Sequence, residues 1–191
     1  MATTANNATN VSQGKPKIAG SVYVAFDDAT LPTDATTELD AGFVNLGYLS
    51  EDGVTNSNSI ETSETKAWGG DVVLSSLTGK TDKWKMTLIE TMNLEVLKTI
   101  YGAGNVTGTL ATGIKVMSKA EQPESHAFVI DMILKGGVLK RIVIPSASIS
   151  SIDDISYKDS DPIGYGIELT AVPDATGTTH YEYVKSKGAG E

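Results

Sequence analysis

The chain contains one short stretch with the spacing of a known chemical motif, Gly79-Lys80-Thr81, which matches the end of a phosphate-binding P-loop. The complete pattern requires a glycine five positions before Gly79, where this chain has Leu74, and a helix immediately afterwards. Alternating apolar and polar residues instead predict a strand after Thr81, so we interpret the three residues as a β-turn. We therefore expect no nucleotide cofactor at this position.

The residues that commonly perform acid–base chemistry or bind metals are few and scattered. His126 and His180 are the only histidines, they are far apart in sequence, and the chain has no cysteine. No Gly-x-Ser-x-Gly nucleophile elbow and no metal-ligand spacing of histidines occurs. Residues 153–161 carry four aspartates, but the ordered oxygen ligands of a calcium loop are missing, and solvated turns explain the run better. We expect no catalytic, cofactor or metal site, and hence no enzyme.

Trp68 is followed by Gly69-Gly70, and a tryptophan beside glycines can serve two different surface roles. It can form a platform for a sugar ring, with Tyr48 or Tyr181 as further aromatic contacts, or it can anchor a protein interface. Burial in the core is the alternative to both roles. We therefore keep a carbohydrate-binding β-sandwich module as the alternative to a structural, self-assembling protein.

Period-two alternation predicts that β-strands position these candidates. Residues 84–88 and 163–171 place apolar side chains on one face and polar ones on the other, as in a half-solvated antiparallel sheet. Residues 127–134 and 138–144 are apolar on both faces, and Gly136-Gly137 joins them as a hairpin. Such strands need cover on both sides, from a second sheet, a helix or another subunit.

One α-helix is predicted, beginning after Asn93 and ending before Gly102. Asn93 can cap it, Glu95 lies in its first turn, and Gly102 suits the position after its end. A helix this short is marginal in water by itself, so it must dock on the sheet. The predicted fold class is mainly β: an antiparallel β-sandwich or barrel of roughly ten strands with one flanking α-helix.

A long connection separates two of the predicted strands. Residues 50–66 contain only two sizeable apolar side chains, Val54 and Ile60. A hairpin turn needs far fewer residues, so we predict a long inter-strand loop. Loops of this length inside a compact domain are usually functional.

The 191 residues fit one domain with loose ends. Polar, small residues at positions 1–16 predict a flexible N-terminal arm, and residues 185–191 predict a flexible C-terminal tail. The β-sandwich domain is expected to span residues 17–184. No apolar run approaches the roughly 20 residues that span a bilayer, so we expect no membrane partner.

The chain carries a formal net charge of -9, from 24 acidic and 15 basic residues, and Arg141 is its only arginine. Proteins that read nucleic acids rely on arginine forks and basic patches, so specific DNA or RNA binding is not expected. An acidic surface can instead face DNA without holding it, because like charges repel. Solubility alone is the other explanation of this charge.

Several short motifs, in order along the chain, carry a resemblance to a known family. They are residues 20–25, 46–54, 67–71, 80–82, 89–90, 93–102 and 163–165. As an ordered set they resemble the major tail tube proteins of long-tailed (siphovirus-type) bacteriophages. The resemblance implies a structural virion protein with a β-sandwich and a side helix. Six copies would form a homohexameric ring around a continuous inner β-barrel, and rings would stack helically into a hollow tube.

The resemblance also implies partners and a location. The tube would be filled by a tape-measure protein and would carry genomic DNA, without specific binding, during genome ejection. Tail tip or distal tail proteins and a tail terminator would contact its ends. The protein would assemble in the host cytoplasm and belong to the phage tail of the virion.

The resemblance gives the predicted loop a role in self-assembly. We expect the loop and the N-terminal arm to become ordered only on meeting the neighbouring ring. Seven residues in and beside the loop are predicted as contacts between rings: Glu51, Asp52, Val54, Ile60, Glu61, Glu64 and Trp68.

Overall fold

The computed structural model describes residues 5–17 and 20–186, and this part of the chain contains eleven β-strands and one α-helix. The strands are β1 Lys15–Pro16, β2 Val22–Ala25, β3 Phe43–Asn45, β4 Leu49–Lys66, β5 Val72–Leu88, β6 Val106–Thr109, β7 Gly113–Val116, β8 His126–Ile133, β9 Leu139–Ile152, β10 Tyr165–Ala171 and β11 Tyr181–Lys185. Helix α1 spans Leu94–Tyr101. Among the described residues, no helix has the length and apolar character needed to cross a bilayer. The mainly β, antiparallel fold class is confirmed.

Strand β9 belongs to two layers of the sandwich because it changes partner along its length. Residues 139–143 pair with β11, whereas residues 147–152 pair with β10. Layer one contains β3, β2, β8, the first part of β9 and β11; layer two contains the last part of β9, β10, β5 and β4. Pro145, which has no N–H to donate to a ladder, lies between the two parts of β9.

The main hydrophobic core lies between these two layers. Layer two contributes Trp84, Met86 and Leu88 from β5 and Ile167 and Leu169 from β10, each at most 2% exposed. Layer one faces them with Val22, Val24, Phe128, Ile130, Ile142 and Ile144. Burying one such side chain fully is worth about 1.5–3 kcal/mol, which explains why the alternation predicted these faces correctly.

The outer face of layer one is covered by the chain itself. Val129 and Val143 are at most 1% exposed and belong to a second apolar cluster on this face. Leu31 and Leu39, from the 27–42 connection between β2 and β3, pack against that cluster. Strands β8 and β9, which are apolar on both faces, are therefore covered by layer two on one face and by this connection on the other.

Arg141 fastens the 27–42 connection to layer one. The side chain is 1% exposed, and its Nε and Nη2 donate hydrogen bonds of 2.7 and 2.9 Å to the Asp131 carboxylate. Its Nη1 donates to the backbone carbonyls of Asp34 and Thr37, at 3.1 and 2.7 Å. Because the charge is paired and hydrogen-bonded, the protein tolerates its burial.

Two local predictions are confirmed. The Asn93 side chain accepts a hydrogen bond of 3.0 Å from the backbone N–H of Glu95 and so caps α1. The buried residues of α1 that dock on the main core are Val96, Leu97 and Ile100. Gly136 and Gly137 turn the chain between β8 and β9, both with positive φ, which glycine adopts without strain.

Residues 50–66 do not form the long irregular loop that we predicted. They lie in β4, which pairs with β5, and residues 67–71 reverse the chain. The prediction was wrong because a two-stranded ribbon exposed on both faces has no apolar side to reveal it, so its Ser, Thr and Asn read as a loop. Gly79-Lys80-Thr81 likewise lies within β5 and does not form a turn.

The two ends of the chain are described in part. Strand β1 pairs with Met132 and Ile133 of β8, and β11 runs to Lys185. Residues 1–4, 18–19 and 187–191 lie outside the described residues. The flexibility of both ends and the domain limits at residues 17 and 184 stay predictions.

Candidate assembly surface

A two-stranded arm extends beyond layer two. The last pair that joins β5 to β10 is Lys83–Thr170. The preceding part of β5, residues 72–82, pairs with β4 alone. We call residues 58–82 the arm. At about 3.3 Å per residue, the β4 side of the arm gives it a length of roughly 30 Å. The arm is therefore a long ribbon with no third strand to cover it.

Large apolar side chains of the arm are exposed to solvent. Every residue from 55 to 78 is exposed. Trp68, in the turn at the tip, is fully exposed, and Ile60 and Leu77 are each 67% exposed. Single exposed apolar residues are ordinary, but several of them on one short ribbon indicate a surface that can contact another molecule. The arm contributes little to the core of its own chain and offers apolar area to a partner.

Two β-bulges interrupt the β5 side of the arm. Steps in the pairing register leave Thr78 and Val73 without a directly opposite residue on β4. Bulges add twist and break the regular row of backbone donors and acceptors along an edge. This irregularity hinders free arms from pairing indiscriminately with one another.

A buried carboxylate fixes the arm at its root. Asp82 is 1% exposed, accepts a hydrogen bond of 2.7 Å from Asn56 Nδ2, and its Oδ2 lies 2.5 Å from Nδ1 of His180. Burial tends to raise the pKa of Asp82, but hydrogen bonds from Thr179, His180 and Asn56 outweigh it and hold that pKa below its ordinary value. The His180 ring stands edge-on to Trp84 with centroids 5.1 Å apart. Core residues therefore set the direction in which the arm leaves the sheet.

The seven residues predicted as contacts fall into three places. Those on the arm are Ile60, Glu61, Glu64 and Trp68, all exposed. Glu51 and Asp52 are exposed in an irregular stretch at the other end of layer two. Val54 is half-buried and packs against the main core. Whether any of the seven contacts another copy stays a prediction.

The pairing of β5 with β4 in the arm was not predicted from the sequence. Residues 68–74 were expected to form a strand of the domain after the long connection, yet Val72 and Leu74 are each at least half exposed on the ribbon, as is Leu77. Gly69-Gly70 was the available signal, because both residues have positive φ and mark a reversal between two strand-forming segments of similar length. If that turn is recognised in the sequence, the two segments are predicted to pair as a hairpin.

The solvent-facing side of layer two carries paired charges. Lys83 Nζ lies 2.8 Å from Glu168 Oε1, and Lys85 Nζ lies 2.9 Å from Asp153 Oδ2. The hydrogen bond to Asp153 raises the pKa of Lys85, and the one from Lys83 lowers the pKa of Glu168. These contacts leave neither lysine as an isolated cation.

The residues considered for other chemistry lie apart from one another. Tyr48 precedes β4 at the end of layer two opposite the arm, far from Trp68, and Tyr181 lies in layer one. His126 begins β8, whereas His180 contacts Asp82. Within residues 5–17 and 20–186, no three His, Asp or Glu groups come together in an arrangement that can hold a metal ion. The aromatic residues proposed for sugar stacking do not form a shared platform.

The fold and the arm define a structural β-sandwich protein with an exposed surface suited to contacts between protein chains. A family model described as phage tail tube protein matches residues 5–189 of the 191 residues. The chain therefore belongs to the phage tail tube protein family. Curated proteins give no match. The protein is a structural component of the bacteriophage tail that assembles with itself into a tube and associates with other tail proteins, and the family is not an enzyme family.

Proposed function

We propose that six copies of the chain form a ring, that rings stack helically into the tail tube of a long-tailed bacteriophage, and that genomic DNA passes through the lumen. The observation that carries this proposal is layer two, a four-stranded sheet with one unpaired edge on each side. Unpaired edges are templates for pairing with another chain, and a closed barrel removes them.

The two unpaired edges are β4 and the end of β9. Among the described residues, 49–56 of β4 pair only with β5, and 149–152 of β9 pair only with β10. A groove of about 280 Å³ runs beside the second edge, between Ile149, Ile152 and residues 118–124. This groove supports the proposal because it is a recess beside the β9 edge in which side chains of a neighbouring copy can pack.

The strand directions allow the two edges to meet. The four strands of layer two alternate in direction, so β4 of one copy runs antiparallel to β9 of the next. The contact joins two different surfaces, and repeating such a heterologous contact closes a ring when the rotation matches. Six copies would give a barrel of roughly 24 strands, which is wider than the 16–18 strands that already enclose an aqueous channel.

The lumen would be lined by the solvent-facing side of layer two, because the main core covers its other side. Lys83 and Lys85 lie beside Glu168 and Asp153, so neighbouring carboxylates balance their positive charge. Affinity for DNA depends on cations that neutralise phosphates. A lining with paired charges lets DNA slide, which supports passage without specific binding.

The arm would join one ring to the next, since it takes no part in the edge contact. Six arms in each ring act together, so a weak individual contact becomes a strong collective one. Arm residues Ile60, Glu61, Glu64 and Trp68 are the proposed contacts. A tape-measure protein inside the tube, and terminator and tail tip or distal tail proteins at its ends, complete the assembly, which takes place in the host cytoplasm.

Electron microscopy of the purified, concentrated protein tests this proposal. We expect rings or hollow tubes of uniform width, with sixfold symmetry in end views. A control variant, Leu110→Ser, removes an exposed apolar side chain from the turn between β6 and β7 and is expected to assemble normally. Monomers that persist even with tail initiator components present would contradict the proposal.

A further inference from the structure

Layer two has two chemically different ends. Leu49, Leu88 and Tyr165 pair in one row, at the end where β4 and β10 begin and β5 finishes. The arm leaves from the opposite end, beyond the Lys83–Thr170 pair. Strands in a barrel tilt by roughly 35–45° from its axis, so each strand still has one end at each rim. In a ring closed through β4 and β9, the arms therefore project from one rim only.

Three large apolar side chains stand exposed at the rim opposite the arms. Tyr48 precedes β4 and is 75% exposed; Met92 follows β5 and is 70% exposed. Tyr157, in the connection from β9 to β10, is 73% exposed. It lies near enough to Tyr165 to add to the effect of burial in raising the pKa of that residue. Chain topology thus brings three separate segments, each with an exposed apolar side chain, to the same end of the sheet.

We infer that Tyr48, Met92 and Tyr157 form the receiving surface for the arm tip of a copy in the adjacent ring. This inference rests on the proposed ring stacking, because head-to-tail stacking brings the arm-bearing rim of one ring against the opposite rim of the next. Aromatic and methionine side chains are enriched in the centres of interfaces, where tryptophan is a frequent anchor. Trp68, at the arm tip, is the matching fully exposed group.

Charge complementarity does not drive this contact. The receiving end carries acidic residues in all three segments: Glu51, Asp52, Glu90, Asp154, Asp159 and Asp161. The exposed charges of the arm nearly cancel, since Glu61, Glu64 and Asp71 are accompanied by Lys66 and Lys80. Whole copies of net charge -9 repel one another at low salt, which favours free rings, so apolar contact is the main attractive part of the junction.

A complementation experiment tests the receiving surface. The arm variant Trp68→Ala/Leu74→Ser/Leu77→Ser keeps an intact receiving end, and the end variant Tyr48→Ser/Met92→Ser/Tyr157→Ser keeps an intact arm. Each changes only exposed side chains, so both are expected to fold and form rings. Neither should form tubes alone. Mixed together, they can form one type of junction only, between the arms of the end variant and the receiving end of the arm variant.

The expected product of mixing is pairs of rings that grow no further, seen by electron microscopy and analytical ultracentrifugation. Trp68 is absent from the arm variant, so a blue shift of tryptophan emission on mixing reports burial of Trp68 of the end variant. Tubes formed by the end variant alone, or loss of its rings, would overturn the inference. Loss of tubes in the Leu110→Ser control to the same extent would also overturn it. Wild-type protein that forms neither rings nor tubes would instead contradict the proposed function.

Discussion

Removing the arm should abolish stacking while leaving the fold nearly as stable. Ser59 and Thr81 face each other across β4 and β5, so residues 60–80 can be replaced by Asn-Gly, which favours the tight turn of a two-residue hairpin. The deletion keeps the root of the arm, with Asp82 and its hydrogen bonds. It removes seven cross-strand pairs, from Ile60–Lys80 to Lys66–Val72.

The structure gives the expected size of the effect on stability. Each cross-strand pair is worth roughly 0.2–1 kcal/mol, but ordering a residue costs about 1–2 kcal/mol of backbone entropy, so a free ribbon is marginal. The deleted apolar side chains are mostly exposed, so almost no buried area is lost. We expect the free energy of unfolding to change by no more than about 1 kcal/mol, and Tm to move by roughly 2–4 °C.

The assay combines thermal unfolding of the dilute subunit with electron microscopy of the concentrated one. A full-length control with Ile60, Trp68, Leu74 and Leu77 changed to Ser separates the loss of apolar contacts from the loss of length; it should also fail to stack. A loss of stability above about 3 kcal/mol would show that the arm belongs to the core. Normal tubes formed by the deletion variant would refute its role in assembly.

Three further predictions follow from the core, the arm root and the surface charge. Arg141→Leu should lower the free energy of unfolding by about 3–5 kcal/mol, because it leaves the Asp131 charge buried without its main partner. Chemical denaturation should show that the Arg141→Leu/Asp131→Leu double variant recovers part of this loss of stability. The folded-state pKa of Asp82 is depressed, so its contribution to the free energy of unfolding is present above its unfolded pKa of about 4 and is lost as pH falls through the folded value. The difference in the free energy of unfolding between wild type and Asp82→Asn should therefore become smaller in acid. Denaturant unfolding from pH 7 to pH 3 measures it. Raising NaCl from about 0.05 to 0.5 M should speed tube growth in light scattering, because salt screens the repulsion between copies that each carry a net charge of -9. Unchanged or slower growth would contradict this repulsion.

The sequence predicted the parts of the fold that have an apolar face. Alternation over residues 84–88 and 163–171 predicted strands that bury the side chains of one face, and the Asn93 cap predicted the start of α1. The arm escaped prediction because both of its faces are exposed in the isolated subunit. Its composition is that of a segment exposed to solvent, so neither period-two alternation nor a core residue revealed that two segments pair.

Only some of the exposed apolar residues of the candidate surface could be named from the sequence. Ile60 and Trp68, which were among the predicted contacts, are exposed on the arm, whereas Val54, which was predicted with them, is half-buried. Tyr48, Met92 and Tyr157 are far apart in sequence, and only the alternating strand directions bring them to one end of layer two. The Arg141–Asp131 pair also depends on register, since no local pattern specifies which buried charges face each other.

Cryo-electron microscopy of assembled tubes would show whether layer two and the arm make the proposed contacts. We expect a map in which β4 of each subunit pairs with β9 of its neighbour around the lumen, and in which the arm crosses to the adjacent ring with Trp68 buried. A map in which layer two stays unpaired at its edges, or in which the arm lies free in solvent, would show that these contacts do not build the tube.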